Sequence, residues 1–226
     1  MDQFGKDKFF LYLHLLDTHN PYSPPEAFQK FGDEEQDLFD GEILLVDYHI
    51  GLIREYLFRK GLEEKTILIL TSDHGEEFHE HGQKYHARHL YEEVLQVPLI
   101  IASPTIITSE LSIPAQVRSI DIVPTILEIL GLPFLEKHQG ESLVPLINNA
   151  PSPERPAISQ IGGDDAEMNN ELISINTGEH KLIWNKKDDT RELYHLSSDP
   201  LELNNLAEQE KETTRKLQSQ LEDIIC

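Results

Sequence analysis

The chain has 226 residues, of which 38% are hydrophobic, 41 are acidic and 19 are basic. This length and composition favour one large domain, or a core with a small appendage, over a disordered chain. The net charge of −22 argues against a general binder of nucleic acid or anionic membranes, because polyanions would be repelled. The single cysteine, Cys226, excludes an intrachain disulfide and a cysteine-based zinc cluster. The charged start, and the lack of 18 consecutive apolar residues, predict a soluble chain without an export signal, with the compartment left open.

The first two thirds of the chain alternate predicted strands and helices. In chain order these are a buried strand over Lys8–Leu16, a proline-rich loop over Asp17–Pro25, a helix over Asp37–Gly61, strands over Thr66–Thr71 and Val97–Ile101, and a helix over about Asp121–Leu130. Continuous apolar runs predict the strands, and apolar residues spaced by three and four predict the long helix. The alternation predicts an α/β fold, a mostly parallel sheet flanked by helices.

A proline-rich connector at Asn148–Pro156 predicts a boundary between residues 1–150 and residues 151–226. Beyond it lie short predicted strands at Ala157–Gln160, Leu172–Thr177, Lys181–Trp184 and Glu192–Leu196, followed by an amphipathic helix over Leu206–Ile224. Four short strands and one helix predict a small antiparallel sheet with a terminal helix.

Five of the 11 histidines fall within sixteen residues, directly after the Thr66–Thr71 strand. Asp73 and His74 begin this segment, and they offer a carboxylate oxygen and an imidazole nitrogen to a divalent metal. The alternative for this pair is a helix N-cap with a hydrogen-bonded turn. His19, in the proline-rich loop, can bind an anionic group or protonate a leaving oxygen. Its alternative is a histidine that is hydrogen-bonded within a rigid loop.

Eight segments share their order and spacing with a known family. They are Phe9–Tyr22, Asp40–Gly51, Thr66–Glu76, His81–Glu92, Val97–Ile101, Asp121–Thr125, Gly140–Leu143 and Glu192–Leu206. Together they resemble the sulfatases of the alkaline phosphatase superfamily along nearly the whole chain. The resemblance implies an incomplete alkaline-phosphatase-like sheet, a small C-terminal antiparallel sheet with a terminal helix, and hydrolysis of sulfuric esters.

The resemblance also implies roles for individual residues. Asp73 and His74 correspond to two ligands of a divalent metal, which is calcium in this family. His19 resembles the histidine that contacts the sulfate and the leaving group. His86 stands where many members have a sulfate-binding lysine, and Lys84 is the alternative. Sulfate-ester cleavage needs a cation to neutralise the nonbridging oxygens and a proton donor for the leaving alkoxide, which a metal and histidines supply.

The sequence departs from the family at the nucleophile. Family members carry an upstream C-x-P-x-R or S-x-P-x-R motif, and this sequence contains neither. We therefore expect the C-terminal part of a sulfatase, inactive alone, from a truncated gene model, a split enzyme or a decayed pseudoenzyme. The expected partners are a sulfated small molecule or glycan, and the missing N-terminal half or a second copy. The parent enzyme could be exported.

Two other functions stay open. One is a phosphoglycerol or phosphoethanolamine transferase, or a phosphodiesterase, of the same superfamily. The other is a noncatalytic binding protein that kept the fold. The tail over Glu192–Leu206 favours the sulfatase.

Overall fold

The chain divides into two units, Met1–Thr66 and Ile67–Cys226. The structure is a computed structural model that describes residues 8–134, 136–151, 155–162 and 171–225. The boundary predicted near residue 150 stays a prediction. The connector that suggested it, Asn148–Pro156, lies partly outside the described residues, as does Cys226.

One long helix forms the centre of the first unit. Helix α1 spans Glu35–Arg59, between 3₁₀ turns at Glu26–Phe28 and Glu63–Lys65. It begins at a capping box, in which the Asp37 carboxylate accepts the Glu34 backbone N–H at 3.2 Å. It ends where Gly61 adopts a φ of 63° and donates its N–H to the Phe58 carbonyl at 3.0 Å. The helix predicted from apolar spacing is therefore confirmed.

Residues 8–16 differ from the buried strand that their apolar run predicts. They are irregular and exposed, with Phe10 83% and Tyr12 73% accessible. A strand is stable only when neighbouring strands satisfy its backbone hydrogen bonds, and the strands of the described sheets all come from residue 68 onward. The strand prediction is therefore wrong here, and the apolar side chains form an open surface.

The second unit begins with two short sheets. Its elements before the connector are β1 (Leu68–Thr71), β2 (Glu77–Phe78), β3 (Lys84–Tyr85), α2 (Glu92–Leu95), β4 (Leu99–Ala102), α3 (Ile122–Ile129) and α4 (Val144–Ile147). The strands and the helix α3 expected there are confirmed. β1 and β4 pair antiparallel, with Leu70 opposite Ile100. A parallel pair needs a long crossover, usually a helix, whereas a short ribbon of β2 and β3 and one helical turn lie between these strands.

Asp121 organises the turn that precedes α3. Its buried carboxylate accepts the Arg118 guanidinium at 2.8 Å and the Glu141 backbone N–H at 2.8 Å. The Thr125 hydroxyl accepts the Leu143 backbone N–H at 2.9 Å. These bonds satisfy buried polar groups and join two sequence motifs that are distant in the chain. Both motifs therefore have a structural role.

The C-terminal sheet has the predicted antiparallel form. Its strands are β5 (Ala157–Ile161), β6 (Leu172–Asn176), β7 (His180–Asn185) and β8 (Thr190–His195), paired in that order, and helix α5 spans Lys211–Ile225. Because side chains alternate along a strand, Ile173 and Ile175 pack in one core with Leu217 and Leu221 of α5. The opposite face packs against the buried Leu90.

Helix α5 begins later than predicted, at Lys211 rather than Leu206. The Leu206 N–H donates to the Leu193 carbonyl at 2.8 Å, and the Asn205 side chain accepts the Leu193 N–H at 3.0 Å. These bonds hold the chain against β8, so the helix starts only after them. None of the described helices is long and apolar enough to cross a membrane.

Candidate active site

The loop after β1 carries the two predicted metal ligands, Asp73 and His74. The Ser72 hydroxyl donates to the His74 carbonyl at 2.7 Å, and the His74 backbone N–H donates to Asp73 Oδ1 at 3.1 Å. A Cβ at Gly75 would lie only 2.1 Å from the Glu93 carbonyl oxygen, so only glycine fits this close approach. Local hydrogen bonds and backbone packing therefore define the loop.

His74 and Asp73 present one nitrogen and one oxygen donor side by side. His74 Nδ1 lies 2.7 Å from the Gly75 carbonyl oxygen, which can only accept, so Nδ1 carries a proton and Nε2 is the nitrogen left for a metal. Nε2 lies 3.8 Å from Asp73 Oδ2. Burial opposes ionisation of Asp73, but His74 and hydrogen bonds from Ser72 and the backbone outweigh it and lower the pKa of Asp73. The pair therefore fits two positions in the shell of a divalent cation.

His86 lies directly against His74. The two rings are stacked, with centroids 3.8 Å apart and planes inclined by 26°. His86 Nδ1 lies 3.1 Å from Oε1 of the buried Glu76, so this carboxylate orients the ring and directs Nε2 to the other side. The structure thus brings Asp73, His74 and His86 together, and the roles assigned to them stay predictions.

The other two predicted site residues lie on different elements. Lys84 is half-buried on β3, opposite Phe78 in the β2–β3 ribbon. His19 belongs to the first unit and is exposed, with Nδ1 2.7 Å from the Asn20 carbonyl oxygen. Their predicted roles at the sulfate also stay predictions.

The loop that carries His19 is attached to helix α1. Glu42 of α1 is buried and accepts the Ser23 backbone N–H at 2.9 Å. A Cβ at Gly41 would lie 2.8 Å from Pro24 Cγ, so the glycine allows the loop to approach the helix closely. The D-G-E motif of the helix therefore positions the loop of His19.

Strained backbone is concentrated in the histidine-rich segment. His79, Tyr85 and Ala87 adopt φ values of 78°, 71° and 65°, in the region that residues with a Cβ rarely occupy. Such conformations persist only where surrounding contacts impose them, and they cluster at functional sites.

Sequence reasoning missed a buried network beside these histidines. His81 Nδ1 lies 2.7 Å from Glu93 Oε1, and the His81 ring stacks on Tyr91 with centroids 3.7 Å apart. Burial disfavours protonation of His81, but Glu93 outweighs it and raises the pKa of His81. His89 Nε2 donates to Glu77, which is fully buried. The acidic residues among the histidines were visible in the sequence, but their pairing depends on the fold.

The C-terminal sheet contacts this network through buried charges. Lys181 of β7 lies 2.9 Å from both Glu92 Oε1 and Glu202 Oε1. The Tyr91 hydroxyl donates to Glu192 of β8 at 2.8 Å. Burial raises the pKa of Tyr91 and that of Glu202, the latter in spite of Lys181. The sheet therefore supports the segment that follows the candidate site.

Two family models match the chain. One described as Sulfatase matches residues 2–132, and one described as N-sulphoglucosamine sulphohydrolase, C-terminal, matches residues 79–226. Each match covers more than half of the 226 residues. The chain belongs to the sulfatase family, with its alkaline-phosphatase-like α/β fold.

Individual relatives agree with this family. Arylsulfatase K of Rattus norvegicus is 33% identical over 219 residues, which are 92% of this chain and 36% of that protein. N-acetylglucosamine-6-O-sulfatase of Bacteroides thetaiotaomicron is 34% identical over 170 residues, 73% of this chain and 30% of that protein. The structure described as BT4656 in complex with its substrate D-glucosamine-2-N,6-O-disulfate has a TM-score of 0.70 and 30% identity, covering 84% of this chain and 40% of that one. The chain thus spans about a third of the length of these curated relatives.

Proposed function

We propose that this chain is the C-terminal part of a sulfuric ester hydrolase that uses a divalent metal. The observation that carries the proposal is the convergence of Asp73, His74 and His86 at the end of β1. His74 Nε2 lies 3.8 Å from Asp73 Oδ2, and the His86 ring stacks on the His74 ring. Because the chain belongs to the sulfatase family, we interpret this arrangement as part of a site for sulfate-ester hydrolysis.

Each residue has a distinct task in the proposed site. Asp73 and His74 hold the cation, which is calcium by resemblance, and a bound cation offsets the charge on the nonbridging oxygens of the sulfate. His86 binds the sulfate through Nε2, with Lys84 as the alternative. His19 contacts the sulfate and protonates the leaving oxygen. The cation also explains how an acidic chain can hold an anionic ester.

A second polypeptide segment has to supply the nucleophile. The sequence contains no C-x-P-x-R or S-x-P-x-R motif, so we expect the chain alone to be inactive. The segment that carries the motif, on the same polypeptide or on another one, is the proposed partner. The apolar surface at residues 8–16 supports an association of this kind, or with a second copy, because its large side chains are exposed.

The proposed substrate class is a sulfated sugar. This rests on the relatives, one named for N-acetylglucosamine 6-O-sulfate and one bound to a glucosamine disulfate. Small aryl sulfates are the simplest alternative and are useful as probes. Nucleic acid is disfavoured as a partner by the net charge of −22.

Calcium binding tests the ligand assignment. We expect calorimetry on the purified 226-residue chain to show weak calcium binding, because two protein ligands fill only part of a calcium shell. Asp73→Asn should abolish this binding, whereas Asp188→Asn, an exposed carboxylate on a hairpin of the C-terminal sheet, should leave it unchanged. Tight binding that survives Asp73→Asn would show that these residues are not the ligands.

Turnover tests the missing nucleophile. The purified chain should not hydrolyse a chromogenic aryl sulfate with calcium present. The assay is run at protein concentrations at which the chain is monomeric. Addition of a polypeptide with the C-x-P-x-R motif of a close relative, converted to its active form, should be required for turnover. Hydrolysis by the chain alone would contradict the proposal.

A further inference from the structure

A second group of metal-binding side chains shares no residue with the Asp73–His74 pair. A carboxylate oxygen of Glu77, a ring nitrogen of His89 and a carboxylate oxygen of Glu93 lie within 4.8 Å of one another. No other group of three or more such residues meets that spacing in the described part of the chain. We propose that Glu77, His89 and Glu93 form a binding site for a divalent metal ion of the zinc type.

The three side chains are largely shielded from solvent. The side chain of Glu77 is 0% exposed, that of His89 11% and that of Glu93 16%. Glu77 lies on β2, Glu93 on α2, and His89 in the loop that joins β3 to α2. Two carboxylates this close together and largely shielded from water repel one another unless positive charge lies between them.

Glu77 is held in a fixed orientation by the backbone. Its Oε1 accepts the backbone N–H groups of His81 at 2.9 Å and Gln83 at 2.8 Å. Its Oε2 therefore faces His89 Nε2, which donates to it. The same Nε2 lies 4.0 Å from Glu93 Oε1. A metal ion at this point takes the place of the His89 Nε2 proton, which is released to solvent, and contacts one nitrogen and two carboxylates that are already oriented.

The charge balance of this region also favours a bound cation. Lys181 is engaged with Glu92 and Glu202, at 2.9 Å from each. Within the residues that the structure describes, the ion pairs of Glu77 and Glu93 are made with imidazoles only. An imidazole supplies a full positive charge only when protonated, whereas one divalent ion balances both carboxylates at neutral pH.

The donor set selects zinc over calcium. Zinc takes about four nitrogen and oxygen ligands at roughly 2.0–2.2 Å, whereas calcium takes about six to eight oxygens. His81 holds the Glu93 carboxylate in place, because its Nδ1 lies 2.7 Å from Glu93 Oε1. One imidazole and two carboxylates, with a water molecule as the fourth ligand, suit zinc.

Zinc titration of the full chain tests the site. The 226-residue protein is stripped with EDTA, the chelator is removed, and zinc binding is measured by calorimetry. We expect one zinc ion per chain from this site. His89→Gln and Glu93→Gln should each weaken that binding at least about tenfold. The exposed His49→Gln and Glu110→Gln serve as matched controls and should bind zinc like the unsubstituted chain.

Three further results keep the interpretation unambiguous. X-ray absorption of the zinc-loaded chain should show nitrogen and oxygen ligands at about 2.0 Å, with one imidazole fewer in His89→Gln. Asp73→Asn should lose calcium and keep zinc, so failure of this site and failure of the proposed calcium site are distinguishable. Glu93→Gln keeps the side-chain shape, and circular dichroism verifies that it is folded. Unchanged zinc affinity in both ligand variants, or an equal loss of affinity in the His49→Gln and Glu110→Gln controls, would overturn the proposal.

Discussion

Lys181 Nζ lies 2.9 Å from Glu202 Oε1, and both side chains are completely buried. The same ammonium lies 2.9 Å from Glu92 Oε1 at the start of α2. Lys181 is on β7, so this contact joins the C-terminal sheet to the segment that follows the candidate active site. A buried ion pair of this kind stabilises only when it is complete, because loss of one partner leaves an uncompensated charge.

Substitution of Lys181 should therefore be strongly destabilising. We expect Lys181→Met to lower the free energy of unfolding by about 3–5 kcal/mol, as measured by urea denaturation. Lys211→Met removes a lysine from an exposed pair with Glu208 and should cost less than about 1 kcal/mol. Equal effects of the two substitutions would show that the buried ion pair contributes no more to the free energy of unfolding than the exposed pair does.

Glu202 should give the stability a defined pH dependence. Burial raises the pKa of Glu202 above its ordinary value of 4.5, although Lys181 opposes this. A carboxyl with a higher pKa in the folded state stabilises the fold fully below its unfolded pKa. This contribution to the free energy of unfolding is lost as the pH rises through the pKa of the folded state. Glu202→Gln should therefore flatten the decline in unfolding free energy above pH 4.5, measured by urea denaturation at several pH values. An unchanged slope would contradict this.

Glu76 should control the orientation of His86. The buried carboxylate accepts the His86 Nδ1–H at 3.1 Å, so nitrogen-15 NMR at alkaline pH should show the proton of His86 on Nδ1. Glu76→Gln keeps an acceptor oxygen and should preserve this tautomer. Glu76→Ala removes the acceptor, so we expect mixed tautomers and a stability loss of about 1–3 kcal/mol. If the alanine variant keeps the Nδ1-protonated form, Glu76 does not position the ring.

Two glycines should respond oppositely to alanine. Gly75→Ala places a Cβ 2.1 Å from the Glu93 carbonyl oxygen, so backbone must move, at a cost of about 1–3 kcal/mol. Gly51 lies within α1 with open space around its Cβ position, and Gly51→Ala should stabilise by about 0.5–1 kcal/mol. Thermal unfolding measures both changes. A neutral Gly75→Ala would mean that the loop after β1 tolerates displacement.

Local patterns in the sequence predicted most of the secondary structure. Helix α1 and its terminating Gly61 follow from apolar spacing and from the backbone freedom of glycine, which act over a few residues. The four strands of the C-terminal sheet follow from short apolar runs separated by turn residues. Strand pairing is less local, and this is why the strand predicted for residues 8–16 was wrong and the antiparallel pairing of β1 with β4 was not predicted. Apolar runs indicate burial but do not specify a neighbouring strand.

The sequence by itself determined the family and the adjacency of Asp73 and His74, because ordered motifs and neighbouring residues are properties of the chain. Only the tertiary structure decided that His86 stacks on His74 and that Glu76 holds it there. It also decided that Glu77, His89 and Glu93 converge, and that Lys181 meets Glu92 and Glu202. These contacts join residues from different elements, so they depend on how the loops bend and how the sheet packs. Residue type predicts which groups can bind a metal or a proton, and packing selects the ones that meet.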